Sequence, residues 1–207
     1  MPAPVNIYFA SSNPGKLAEF RALAASAVGA PSSTSFSVEM LPGFESLPPF
    51  EESAPTFGEN ALGKAVYYSQ LSDGIVFADD SGLVVPALGG APGVQSARYA
   101  GPDASSADRI SKLLQELGGT PHDKRSAYFC CVIAMVRQGQ PIAVISNRAD
   151  GEILEVPRGT GGFGYDPIFY VPELGKTFAE LTPEEKNVHS HRGKAFRRML
   201  SFLTNRN

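Results

Sequence analysis

Residues 75–85 read Ile75-Val76-Phe77-Ala78-Asp79-Asp80-Ser81-Gly82-Leu83-Val84-Val85. Four consecutive apolar residues, two of them β-branched, form the kind of short strand that is buried on both faces of a sheet. The run passes directly into two adjacent carboxylates, and extended character resumes at Leu83. Carboxylates beside a buried strand are costly unless a cation or hydrogen bonds compensate them. At strand ends they commonly hold Mg²⁺ or position water. Asp, Ser and Gly together also suit a turn that simply ends a strand, so both readings stand on this segment alone.

The chain on either side alternates strands and helices. Val5–Ala10 predicts a first strand, and Asn13 or Ser12 caps a helix that has Pro14 at its first position. Leu17, Phe20, Leu23 and Ala24 recur on that helix at helical spacing. Residues 29–55 are rich in Pro and Ser, with one short strand expected near Phe36–Met40. Thr56-Phe57-Gly58-Glu59 is a capping-box pattern opening a second helix through about Leu71. A third helix is expected over Ser105–Leu117, with Gly118 as its stop. Ala127–Arg137 and Ile142–Arg148 read as a hairpin around Gln138-Gly139-Gln140-Pro141, and Gly151–Val156 as a further strand. Thr182-Pro183-Glu184-Glu185 is a second capping box, and a last helix from about Ser190 buries Phe196, Met199, Leu200 and Leu203. No internal repeat or linker interrupts residues 1–207, so a single α/β domain with a mixed sheet flanked by helices is expected.

Composition narrows the function. A net charge of −3 argues against a basic groove for long nucleic acid, while leaving room for a local phosphate pocket. No apolar run approaches the roughly 20 residues that span a bilayer, and Met1-Pro2-Ala3-Pro4-Val5-Asn6 lacks the pattern of a signal peptide. Cys130 and Cys131 are adjacent on an expected strand, where their side chains point to opposite faces and read as packing thiols. A cytoplasmic protein with neither a nucleic-acid nor a membrane partner is expected. The 21 glycines and 17 prolines exceed the usual combined share of about 12%. Much of that excess concentrates in segments that the core pattern does not need.

Three such segments accompany Asp79-Asp80. Ser11-Ser12-Asn13-Pro14-Gly15-Lys16 joins a strand to a helix, where exposed amides and a lysine suit phosphate; an ordinary capped helix with a solvated lysine reads the same way. Thr160-Gly161-Gly162-Phe163-Gly164-Tyr165-Asp166 lets backbone approach a flat ligand, with Phe163 or Tyr165 to stack on a base, or else holds two core aromatics. Lys186-Asn187-Val188-His189-Ser190-His191-Arg192 offers cations to phosphate or a base carbonyl, or else is a solvated helix start. None of these has the ligand spacing of a zinc site.

In this order, and over nearly the whole chain, the segments resemble the inosine triphosphate pyrophosphatase family. Residues 11–16 look like its Thr-Gly-Asn-x-x-Lys phosphate loop, with Ser11-Ser12 in place of Thr-Gly. Residues 56–65, 78–83, 88–99, 162–169 and 179–195 look like its other motifs. The resemblance implies an elongated two-lobed α/β fold with a long mixed twisted sheet and a central substrate cleft. It also implies a divalent metal, usually Mg²⁺, and a homodimer. The implied activity is hydrolysis of non-standard purine nucleoside triphosphates (ITP, dITP, XTP) to the monophosphate and pyrophosphate, which cleanses the nucleotide pool. A pyrophosphatase for other modified nucleotides and a non-catalytic nucleotide sensor are the alternatives.

Carried over residue by residue, the resemblance implies a phosphate loop of Ser11, Ser12, Asn13, Pro14, Gly15 and Lys16. Glu52 and Asp80 fall where the family binds metal, and Asp80 also matches its catalytic base, with Asp79 beside it as the alternative. Lys64, Ser81 and Lys186 match substrate contacts, while Phe163, Gly164, Tyr165, Asp166, His191 and Arg192 match the base pocket. Lys16, Lys64, Lys186 and Arg192 balance Glu52, Asp79, Asp80 and Asp166 in charge, so the implied site is neutral before a divalent ion enters.

Overall fold

The computed structural model describes residues 4–26 and 35–205. Part of the Pro/Ser-rich stretch expected over 29–55 therefore lies outside the described residues. Among the described residues the strands are β1 (Val5–Phe9), β2 (Phe36–Met40), β3 (Ile75–Val84), β4 (Ser126–Arg137), β5 (Gln140–Ile153), β6 (Phe169–Val171) and β7 (Lys176–Thr177). The helices are α1 (Pro14–Ser26), α2 (Phe57–Tyr68), α3 (Ser106–Glu116), α4 (Pro183–His189) and α5 (His191–Thr204). The strands form one sheet in the order β2-β1-β3-β4-β5-β6-β7. β1 pairs in parallel with β2 and β3, whereas β6 pairs antiparallel with β5 and β7. The sheet is mixed, as the change from alternating elements to a hairpin predicts.

Local chemistry accounts for the helix ends. Asn13 Oδ1 accepts from Lys16 N at 3.1 Å and caps α1. Thr56 Oγ1 accepts from Glu59 N at 3.2 Å at the start of α2. Ser105 and Thr182 make complete capping boxes for α3 and α4. Each such cap is worth about 1 kcal/mol.

Two strands differ from the sequence expectation. β3 does not stop at the carboxylates: residues 75–84 form one strand with Asp79 and Asp80 inside it. β5 is likewise one 14-residue strand where two shorter ones were expected. Its polar middle, Asn147-Arg148-Ala149-Asp150-Gly151, stays extended because side chains alternate between a covered and an exposed face. Gly151 has a packing reason, since a Cβ there would lie 2.4 Å from Tyr170 O and 2.7 Å from the Phe169 ring.

The chain divides into two compact units. The first comprises Met1–Asp80, Cys131–Asn147 and Arg192–Asn207. Its core gathers Ile7, Phe9, Phe20, Phe77, Ile133 and Phe196. The Phe9 and Phe77 rings stack at 4.9 Å, and Phe20 meets Phe196 at 5.0 Å. The second unit comprises Ser81–Cys130 and Arg148–His191, with Leu83, Leu113, Phe129, Phe169 and Phe178 in its core. Within it Arg125 is buried and donates to the carbonyls of Leu117, Ile153 and Leu154. Burying one large apolar side chain contributes about 1.5–3 kcal/mol, so each unit has a substantial core of its own.

Candidate active site

Continuity of β3 separates the two adjacent carboxylates. Neighbours on a strand point to opposite faces, and within the first unit Asp79 and Asp80 have different partners. Asp79 is fully buried and receives Lys16 Nζ at 3.0 Å on Oδ1 and 2.9 Å on Oδ2. Arg192 Nε lies 3.9 Å from Asp79 Oδ2, and the Arg192 guanidinium also pairs with Glu19. Burial works to raise the Asp79 pKa, but Lys16, Arg192 and Lys64 outweigh it and hold the carboxyl below its ordinary value. Burial likewise opposes the Arg192 cation, and Glu19 and Asp79 more than compensate.

Asp80 has the opposite character. Burial pushes its pKa up to about 6, the Glu52 charge adds to the rise, and a hydrogen bond from Asn60 partly offsets it. That bond runs from Asn60 Nδ2 to Asp80 Oδ2 at 3.0 Å. Lys64 pairs with Glu52. Burial disfavours the Lys64 ammonium, yet Asp79, Glu52 and Asp80 together hold its pKa above the ordinary lysine value. Asn60 and Lys64 stand four residues apart on the buried stripe of α2, beside Ala61, Ala65 and Tyr68. One helix face therefore delivers both polar groups to the carboxylates.

Residues 11–16, expected to form a phosphate loop, lie at the β1–α1 junction. Ser11 is buried and its Oγ accepts from Asn13 N at 3.2 Å; Ser12, Asn13 and Pro14 are exposed, and Gly15 and Lys16 are half-buried. Among the described residues, Gln138 is the non-glycine with a positive φ. Ser12 thus occupies an ordinary backbone conformation, and the replacement of Thr-Gly by Ser11-Ser12 imposes no strain there.

The second unit gathers the remaining candidates around Asp166. Its Oδ2 accepts from Phe163 N at 2.8 Å and from Lys186 Nζ at 2.6 Å, and Lys186 Nζ sits 4.8 Å from the Phe163 ring centroid. Gly162, at φ +71°, is required here, because a Cβ would fall 2.0 Å from that same oxygen. The two aromatics of the loop part company. Phe163 is 41% exposed, whereas Tyr165 is buried in the core with its hydroxyl donating to Ser96 O at 2.9 Å. Gly164 N donates to Ser106 Oγ at 3.2 Å. His191 is buried and stacks on Phe129 at 4.7 Å. His191 closes the second unit and Arg192 opens the last segment of the first, while Ser81 is half-buried in β3 at the start of the second.

Three contributors were not singled out from sequence: Asn60, Glu19 and Ser106. Asn60 left one signal, a carboxamide on the same helical stripe as Ala61, Ala65 and Tyr68. Glu19 and Ser106 read as ordinary polar residues near helix starts.

Among the described residues, no group of three or more His, Cys, Asp or Glu side chains is arranged to hold a metal ion. Mg²⁺ needs less from a protein: one or two carboxylates together with waters and substrate phosphates. Glu52 and Asp80 fit that requirement, being hard oxygen donors close enough for the charge of one to raise the pKa of the other. A divalent cation between them relieves that repulsion.

The sequence model of the Ham1 family matches residues 7–202. A dITP/XTP pyrophosphatase of Geobacillus kaustophilus (strain HTA426) is 51% identical over 193 residues, covering 93% of this chain and 91% of the relative. One from Yersinia pseudotuberculosis is 46% identical over 201 residues, covering 95% and 97%. Among solved structures, a HAM1 protein from Coxiella burnetii matches with a TM-score of 0.84 at 42% identity, over 97% of this chain and 99% of that one. A nucleoside-triphosphatase, or dITP/XTP pyrophosphatase, from Mycobacterium abscessus matches with a TM-score of 0.70 at 38% identity, over 95% and 99%.

Proposed function

The chain belongs to the Ham1 family, and from that premise we propose that it hydrolyses non-standard purine nucleoside triphosphates (ITP, dITP and XTP) to the monophosphate and pyrophosphate. The observation that carries the reading is the buried Asp80 carboxylate, held by a hydrogen bond from Asn60 and near enough to Glu52 to feel its charge. Water attacks the α-phosphorus, the bond to the bridging oxygen breaks, and the proton passes to the Asp80 carboxylate. Asp79, engaged by Lys16 and Arg192 and held low, is a poor base by comparison. Glu52 and Asp80 are the proposed metal ligands, and a bound Mg²⁺ supplies charge neutralisation and orientation of the phosphate oxygens.

In the first unit, Asn13 and the backbone N–H groups of Ser12 and Gly15 bind phosphate, and Lys16 and Lys64 offset the charge that develops on the leaving oxygen. Arg192, kept cationic by Glu19 and Asp79, suits a purine 6-keto oxygen and mismatches a 6-amino group. One lost match of that kind costs about 1–3 kcal/mol. In the second unit, exposed Phe163 is the proposed stacking surface for a base, with Asp166 and Lys186 fixing its loop, and His191 and Ser81 are further proposed contacts. We propose a homodimer, tested by sedimentation equilibrium. Two cysteines outside any disulfide and a nucleotide substrate suit the cytoplasm, and among the described residues no helix is long and apolar enough to cross a membrane.

The decisive experiment incubates the protein with ITP, XTP, GTP and ATP plus Mg²⁺ and identifies the products. Monophosphate and pyrophosphate from ITP and XTP, with much slower turnover of ATP, are expected. Release of orthophosphate, or equal rates on ATP and ITP, would refute the assignment.

A further inference from the structure

Asn60 is 1% exposed, and its carboxamide makes three hydrogen bonds. Oδ1 accepts from Ala54 N at 3.0 Å, while Nδ2 donates to Ala54 O at 3.3 Å and to Asp80 Oδ2 at 3.0 Å. The first two bonds grip both backbone groups of one residue, as a paired strand would. Ala54 lies two positions beyond Glu52, in a segment without helix or strand of its own. The third bond reaches the neighbouring carboxylate. Only a planar amide presents a donor and an acceptor in this way: aspartate lacks the donor, and a serine or threonine hydroxyl is too short to span both partners. Lys64, one turn further along α2, pairs with Glu52 itself. The segment is thus fixed to α2 at its backbone and at its side chain.

We propose that Asn60 is a positioning residue that sets the separation of the Glu52 and Asp80 carboxylates by clamping the Ala54 backbone and Asp80 Oδ2 with one amide. The proposal rests on the reading of Glu52 and Asp80 as metal ligands. The burial of Asn60 holds the amide in one orientation, since any other would leave a buried donor or acceptor without its partner.

The test uses the full chain and two readouts: amide exchange over residues 52–56 by NMR, and ITP turnover as a function of Mg²⁺ concentration. N60A should expose the Ala54 amide to exchange, lower kcat at least tenfold and raise the Mg²⁺ concentration for half-maximal rate. N60D keeps the acceptor for Ala54 N–H, so protection there should persist while kcat still falls. In an E52Q background, N60A should lower kcat by no more than a few-fold, because the group it positions has already lost its charge. If N60A does not fold, A54P removes the Ala54 N–H, while also fixing φ there and restricting Ser53, and should raise the Mg²⁺ requirement by itself. An N60A protein with wild-type exchange, kcat and Mg²⁺ requirement, or an A54P protein with wild-type kcat and Mg²⁺ requirement, would overturn the proposal, as would N60A losses that multiply fully with those of E52Q. The two readings fail distinguishably. N60A behaving as wild type beside an impaired E52Q removes the proposal alone, whereas E52Q behaving as wild type removes Glu52 from the site and both readings with it.

Discussion

Asp79 and Asp80 share a chemistry and a covalent neighbourhood, yet burial and partners drive their pKa values in opposite directions. This has consequences for stability as well as activity. The raised pKa of Asp80 means that the folded protein binds its proton more readily than the unfolded chain does. Metal-free stability therefore falls as pH rises from about 4 to about 6, by at most about 3 kcal/mol, and levels off above that range. Asp80→Asn should accordingly be inactive yet melt several degrees higher than the parent at pH 8 without divalent ions, measured by calorimetry. A lower melting temperature would contradict the burial penalty assigned to Asp80. Asp79 works the other way, contributing stability that is present above its unfolded value near 3.8 and is lost as pH falls below it. Asp79→Ala leaves Lys16 and Arg192 facing a buried gap and should cost about 3–5 kcal/mol in urea denaturation at pH 7. At this scale the sequence flagged the pair but did not divide it. Asn60 escaped notice because nothing within α2 announces that Ala54 and Asp80 lie within reach of its carboxamide.

Helices were the most legible elements, because apolar spacing and capping residues are local signals. α1 and α5 bury the residues that their periodicity selects. Strands were less so, since polar residues in the middle of β3 and β5 look like breaks until cross-strand pairing holds them extended. Gly151 exemplifies this. Its role depends on β6 passing within contact distance, which no spacing in β5 reveals. Gly151→Ala should destabilise by about 1–3 kcal/mol. Gly58→Ala on α2, where an added Cβ meets nothing closer than Thr56 Oγ1 at 3.9 Å, should instead stabilise by about 0.5–1 kcal/mol. Both are read from urea midpoints. In the loop after β5, Gly162→Ala drives a methyl into Asp166 Oδ2. It should lower kcat/KM for ITP at least tenfold and also lower the melting temperature, because the displaced carboxylate no longer fixes Phe163 N and the buried Lys186.

Across the whole molecule, each unit has an aromatic core of its own: Phe9, Phe20, Phe77 and Phe196 in one, Phe129, Phe169 and Phe178 in the other. Phe20→Ala and Phe178→Ala should each cost about 3–5 kcal/mol by chemical denaturation, since both side chains are fully buried. The charge balance inferred from composition also acquires a structure. Lys16 pairs with Asp79, Lys64 with Glu52 and Lys186 with Asp166, while Arg192 recruits Glu19, which no motif had nominated. The amino-acid sequence alone determined the mixed α/β class, the helix starts and the segments that carry the chemistry, because periodicity, capping and motif spacing are properties of a few neighbouring residues. Tertiary structure alone decided that one unbroken strand turns Asp79 and Asp80 toward different partners, that Tyr165 belongs to the core while Phe163 stays exposed, and that Asn60 joins Glu52's segment to Asp80. Those outcomes depend on which distant groups arrive within hydrogen-bonding range, and long-range pairing is what a local pattern does not encode.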